Sequence, residues 1–330
     1  MTEFELIARF FTRPPRRDGL AITGVGDDCA LLDAGERLLA VTSDMLIEGR
    51  HFLPGCDPAA VGHKSLAVNL SDLAAAGATP RCFFLALGLP RADAAWLEAF
   101  ARGMLALADR YGCQLLGGDT TRTPTLGAHA DVSGPLTIAI TAMGEVPRGS
   151  ERTRGGARPG DELWVSGSLG DARLALAHAR GELELPAADH AAVRPRMEQP
   201  EPRVALGVAL RGVASSAIDI SDGLLGDIAH VAARSGVAME VKAAAVPRSA
   251  VLAAQPVALA DAFALAGGDD YELLFTAPAV ANAAVRTAAQ AADTPVTRIG
   301  RVLAGSGVTV LDADGRPLAR RFDGFDHFRA

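Results

Sequence analysis

DPAAVGHKSLAVNLSDLAAAGATP, residues 57–80, reads as a single helix with an acidic residue set in an apolar body. Asp57 suits an N-cap and Pro58 a first turn. Gly77 with Pro80 just beyond it is a stop signal. Between them Val61, Leu66, Val68, Leu70, Leu73 and the alanines leave little polar surface, the pattern of a helix packed on most sides. Asp72 lies inside that run, where an unpartnered carboxylate favours its neutral form. The nearest cations in the chain, Lys64 and Arg81, stand more than two turns away or beyond the helix stop. Either Asp72 shares a narrow polar stripe with Asn69, or the fold brings a cation to it. Taken alone, the stretch favours the stripe.

Outward from this helix the chain alternates strands and helices. Residues 3–11 read as a short amphipathic helix, 24–32 as a glycine turn entering a strand, and 38–46 as a strand running into Ser43-Asp44. After the helix come a Phe- and Leu-rich strand (81–89), an amphipathic helix (93–111), a short strand from Cys113 to Gly117 ending in GGDTTR, and a β-branched strand (135–145). This order predicts an α+β fold with helices on one face of a sheet. GSERTRGGARPGD, 149–161, is the best hinge, which divides the chain into residues 1–148 and 149–330. The second half reads as an α/β sandwich. Its strands are ELWVSGS, 217–221, 237–242, 271–277, 296–302 and 308–312; its helices are 171–181, 200–214, one ending at Ser235, and 278–292. Residues 182–199 are polar and read as loop.

The chain's 330 residues favour two domains, and 49% hydrophobic with 22% charged residues is ordinary for a globular protein. A net charge of -7 argues against a nucleic-acid surface. Cys29, Cys56, Cys82 and Cys113 form no CxxC pair and no metal spacing, which fits free thiols in a reducing compartment. The N-terminal MTEFELIARFF is acidic and short of apolar length, and no run reaches membrane-spanning length, so the expected location is the cytoplasm.

Aspartates recur at one kind of place, the loop after an apolar strand or beside glycines: Asp27 and Asp28, Asp44, Asp119, Asp219 and Asp222, Asp269 and Asp270. Each alone is an ordinary turn residue. Loops at the strand ends of one sheet converge, however, and two carboxylates ~4 Å apart repel by roughly 4 kcal/mol at an effective dielectric of ~20. A cleft of this kind calls for divalent cations. Hard oxygen donors without His/Cys spacing point to Mg²⁺ shared with substrate phosphates. The common phosphate loops are absent: there is no GxxxxGK[ST], Lys64 and Lys242 are the only lysines, and Gly24-Val25-Gly26 lacks a third glycine. Phosphate handling then falls to metals and arginines, with Arg148, Arg152 and Arg154 of the hinge as candidates beside the plain reading of a solvated basic loop.

GVGDDCALL, SDMLIEGRHF, KSLAVNLSDLAAAGATP, GGDTTR, PRGSERTRGGARPGD, IDISDGLLGD, GGDDYELLF and GFDHF occur in this order between residues 24 and 328, within a match that runs from about residue 3 to 328. Together they closely resemble the thiamine-monophosphate kinases of the aminoimidazole-ribonucleotide-synthetase-like ATP-binding superfamily. The resemblance implies ATP-dependent phosphorylation of thiamine monophosphate to thiamine diphosphate, and a homodimer whose N-terminal sheets pair. Carried over by motif, Asp28, Thr42, Ser43, Asp44, Asp72, Asp119, Asp219 and Asp222 become Mg²⁺ ligands, with Asp72 bridging several ions. Gly118, Asp119, Arg154 and Ser221 become ATP contacts, and His51, Asp269 and Phe325 the thiamine phosphate site. Some relatives have Glu at the position of Asp269 and Tyr at that of Phe325, changes that keep the charge and the ring. No catalytic base is implied: a phosphate monoester with a second pKa near ~6 is already a nucleophilic dianion at neutral pH.

Overall fold

The computed structural model describes residues 2–12, 19–124 and 134–318. Helix α1 (Glu3–Phe10) opens on a capping box between Thr2 and Glu5. Then come β1 (Ala21–Thr23), β2 (Ala30–Ala34), β3 (Arg37–Ile47), α2 (Pro58–Ala75), β4 (Thr79–Leu89), α3 (Ala94–Tyr111), β5 (Gln114–Arg122) and β6 (Thr137–Pro147). The six strands form one sheet in the order β1-β2-β3-β6-β4-β5. All neighbours are antiparallel except β4 and β5, which the crossover helix α3 joins in parallel.

A second six-stranded sheet follows the connector. Its elements are β7 (Asp161–Ser166), α4 (Asp171–Ala179), α5 (Ala187–Glu198), α6 (Val204–Ala209), β8 (Ser216–Asp219), α7 (Leu224–Ser235), β9 (Ala238–Lys242), α8 (Ala250–Ala253), α9 (Val257–Ala266), β10 (Leu273–Pro278), α10 (Asn282–Ala291), β11 (Val296–Leu303) and β12 (Gly307–Leu311). The strand order is β12-β9-β11-β7-β10-β8, with only β12 parallel to its neighbour.

Helix α2 lies between the two units. Asp57 caps it, and Gly77, in the left-handed region at φ 71, ends it. Its apolar residues share one core with Leu38, Phe83, Ile138 and Ile140 of the first sheet, and with Leu206, Trp164, Leu273 and Phe275 of the second unit. Close approach is enforced by glycine. A Cβ at Gly62 would collide with the Phe100 carbonyl of α3, and one at Gly207 of α6 with the Ala74 carbonyl of α2. A separate core fills the other face of the second sheet, where Leu163, Val165, Ile218 and Leu274 meet Leu174, Ile228 and Leu265 from α4, α7 and α9.

Three expectations need correction. Residues 182–199 are not a loop: α5 occupies most of them, anchored by buried Val193 and Met197. Strand β5 does not stop at Gly117 but runs through GGDTTR to Arg122, because it pairs residue by residue with β4 as far as Leu89. The helix read over 200–214 is confined to Val204–Ala209.

Candidate active site

Four elements bring carboxylates to one end of the interface between the units. The turn before β2 supplies Asp28, β3 supplies Thr42 and Asp44 from its helix-facing side, α2 supplies Asp72, and the end of β8 supplies Asp219. Carboxylate oxygens of Asp28, Asp72 and Asp219 lie within 4.8 Å of one another. The Thr42 hydroxyl donates to Asp72 Oδ2. Asn69 is fully buried: its Oδ1 accepts from the Asp44 backbone N–H at 3.2 Å, and its Nδ2 donates to the Ser65 carbonyl. Asn69 therefore ties α2 to β3, and the polar-stripe reading of Asp72 gives way to a carboxylate cluster.

Burial and mutual repulsion govern these groups. Asp28 and Asp219 are pushed from 3.8 up to about 7, each by desolvation first, with neighbouring carboxylates adding to it. Asp44 rises to about 6 for the same two reasons, and Asp72 rises well above the usual range. The cation that the fold brings is Arg154. Its Nη2 and Nε donate to Asp28 Oδ1 at 2.6 and 3.0 Å, and its backbone N–H donates to Asp27 Oδ1 at 3.1 Å. The other hinge arginines face elsewhere. Arg148 pairs with Asp33 at 2.5 Å on the surface, and buried Arg152 donates to the Ala74 and Gly207 carbonyls.

One cavity of about 810 Å³ gathers Asp28, Thr42, Ser43, Asp44, His51, Asp72, Arg154, Asp219, Ser221, Asp222 and Asp269. Ser43 reaches it from a strand position whose hydroxyl lies 2.9 Å from Thr141 Oγ1. Gly118 and Asp119 are not in that lining; they lie on β5, exposed along its whole length. Phe325 lies outside the described residues. Lys64 lines the cavity without having been singled out for it. Its signal was available: it is one of two lysines, and it lies two turns before Asp72 on the same buried helix.

The donor set fits a hard divalent cation. Oxygens of three aspartates converge where one arginine offsets only part of the charge, and the nearest thiol, Cys29, is held well above its usual pKa by burial and those carboxylates. Among the described residues no imidazole joins the cluster.

The AIR synthase related protein family matches this chain twice, its N-terminal domain over residues 26–146 and its C-terminal domain over 158–313. A thiamine-monophosphate kinase of Salmonella typhimurium is 42% identical over 330 residues, 99% of this chain and 98% of the relative. The chain belongs to the thiamine-monophosphate kinase family. Among solved structures, the thiamine-monophosphate kinase from Stenotrophomonas maltophilia is 45% identical, with a TM-score of 0.78 over 92% of this chain and 93% of that one. AaThiL complexed with AMPPCP and TMP is 33% identical, with a TM-score of 0.79 over 92% of each chain. This family membership accounts for the two α+β units, each a mixed sheet with helices.

Proposed function

We propose that this chain transfers the γ-phosphoryl group of ATP to thiamine monophosphate, giving thiamine diphosphate and ADP by direct in-line displacement. The observation that carries the reading is the convergence of Asp28, Asp72 and Asp219 in a cavity that also holds His51 and Asp269. Asp28, Thr42, Ser43, Asp44, Asp72, Asp219 and Asp222 would hold Mg²⁺ on the cavity side of the first sheet, with Asp119 joining them as argued below. A Mg²⁺ ion held by these residues would supply charge neutralisation for the phosphate groups.

The chain's own groups do the positioning. Arg154, forked and fixed on Asp28, stands where a polyphosphate can take up its remaining donors. Ser221 follows the Asp219 strand end and lines the same wall. His51 Nδ1 accepts the Ile47 backbone N–H at 2.9 Å, so a neutral ring carries its proton on Nε2, the form that donates to a phosphate oxygen. Asp269 offers a carboxylate to the thiazolium. No side chain needs to act as base, since the acceptor phosphate enters ionised.

Residues 1–148 are assigned to ATP, Mg²⁺ and dimer contacts, and 149–330 to completing the nucleotide and acceptor sites. A homodimer is supported by the outer face of the first sheet, where Met45 and Phe84 are 55% and 38% exposed. None of the described helices is long and apolar enough to cross a membrane, and the cytoplasm is the proposed location. The deciding assay is ADP release with Mg²⁺, ATP and thiamine monophosphate, against the same mixture without acceptor. Release at the same rate in both removes the acceptor assignment.

A further inference from the structure

Lys64 is 3% exposed, and its Nζ has a carboxylate partner inside the cavity: Asp269 Oδ2, at 2.5 Å. It also donates to the His51 carbonyl at 3.2 Å. Asp269, the more open of the two, sits in a loop held in an unfavourable backbone state. Asp269 and Tyr271 both have left-handed φ, 65 and 50. Hydrogen bonds from the Asp269 N–H to the Ser221 carbonyl and from the Tyr271 N–H to the Ile220 carbonyl pin them there. Strain of this kind persists only where surrounding contacts over-determine it, and it concentrates at sites that bind ligands.

Resting on the functional reading above, we propose that the Lys64–Asp269 ion pair is a placeholder for the acceptor and is exchanged on binding: the acceptor's fixed organic cation takes Asp269, and its phosphate monoester takes Lys64. A buried ion stripped of its partner is strongly disfavoured. A ligand carrying both charges replaces both partners and leaves neither ion alone. A ligand with only the cation must draw Asp269 away and leave Lys64 unmatched. The pair thereby makes the site selective for a molecule with a cation at one end and a phosphate at the other. Lys64 is a flexible point charge with three donors, suited to following a phosphate once Asp269 is engaged. His51, whose carbonyl already holds Lys64, adds its ring at the same end.

The test is equilibrium binding of thiamine monophosphate and of thiamine, without nucleotide, to the full-length wild type, Lys64→Gln, Lys64→Arg and Asp269→Asn. The quantity read is the ratio of the thiamine to the thiamine monophosphate dissociation constant. In Lys64→Gln that ratio should fall about ten- to a hundredfold, the worth of a charge-assisted hydrogen bond, chiefly through lost phosphate ester affinity. Lys64→Arg should recover part of it. Asp269→Asn should change both dissociation constants by the same factor and keep the wild-type ratio, because Asp269 has already left Lys64 in either complex. This variant keeps the test open if Lys64→Gln melts early. An unchanged ratio in a folded Lys64→Gln, or in Asp269→Asn either a shifted ratio or two unchanged dissociation constants, overturns the exchange. A wild type that releases no ADP with thiamine monophosphate overturns the functional reading and this inference together, whereas an active wild type with an unchanged ratio in Lys64→Gln overturns the exchange alone.

Discussion

Asp72 has no role in folding that a neutral isostere could not fill. It accepts from Thr42 and faces two other aspartates, and burial holds its pKa high. Asp72→Asn should therefore retain the fold and melt no lower than wild type, yet lose Mg²⁺-dependent turnover by at least about a hundredfold, the scale of removing one transition-state electrostatic contact. Near wild-type turnover at saturating Mg²⁺ would rule out a bridging role. The same cluster sets a pH dependence of stability. Unfolded, Asp28, Asp44 and Asp219 titrate near 3.8; folded, near 7, 6 and 7. Below the unfolded value both states are protonated and the shifts contribute nothing. As pH rises through 4 to 7 the folded state is left holding protons that the unfolded state has already released, so stability falls, on the order of a few kcal/mol across the coupled cluster. A metal competes with those protons for the same oxygens. Melting in EDTA should drop from pH 5.5 to 8, and added Mg²⁺ should raise it far more at pH 8; equal Mg²⁺ stabilisation at both pH values would contradict this account. Little of this is legible in the sequence. The strangeness of Asp72 is visible there, but its remedy comes from residues 44 positions before it and 147 after it. From composition alone Arg154 is one of three hinge candidates; only the motif resemblance names it, and its hydrogen bonds to Asp28 bring it beside the cluster.

At the scale of elements, helix α2 was the most readable part of the chain, because cap, apolar body and glycine stop all agree locally. Helix α5 was the least readable. Its polar composition and internal Pro195 look like loop, and it is held by partners distant in sequence. Arg196 of α5 and Arg203, just before α6, both pair at 2.5 Å with Glu272, which is fully buried and also accepts from Ser166 Oγ. Glu272 lies three residues after Asp269, so this knot fastens α5 to the loop that presents the acceptor carboxylate. Glu272→Ala should destabilise the fold by about 3–5 kcal/mol, since it strands two largely buried guanidinium groups. Chemical denaturation measures this directly, and a loss under ~1 kcal/mol would mean the arginines find water instead. The glycine of α2 makes a parallel case. Gly62→Ala forces its Cβ against the Phe100 carbonyl and should cost at least about 1–3 kcal/mol, as α2 and α3 cannot separate without opening the shared core.

The whole molecule raises the question of Gly118 and Asp119, which motif reading placed with the nucleotide and metal but which their own chain keeps out of the cavity. Register gives them a route. Met45, Ala139, Ala86 and Asp119 face one another in a row across β3, β6, β4 and β5, and Met45, on the exposed side, also borders the cavity. The cavity thus opens onto the same outer face of the first sheet that leaves Met45 and Phe84 exposed. A second copy laid on that face by a two-fold axis would cover this apolar surface and carry its own Asp119 toward the neighbouring cavity. The expectation is that each site takes Asp72 from one chain and Asp119 from the other. Homodimers of Asp72→Asn and of Asp119→Asn should both be inactive. A heterodimer purified through two different tags should regain about half the wild-type activity, because one of its two sites then escapes both lesions. If Asp119 served the cavity of its own chain, every site in the heterodimer would carry a lesion and no activity would return. If Asp119 served no site, its homodimer would be active from the start. Light scattering on the wild type at micromolar concentration supplies the precondition: a stable monomer would leave the apolar face and Asp119 without this explanation.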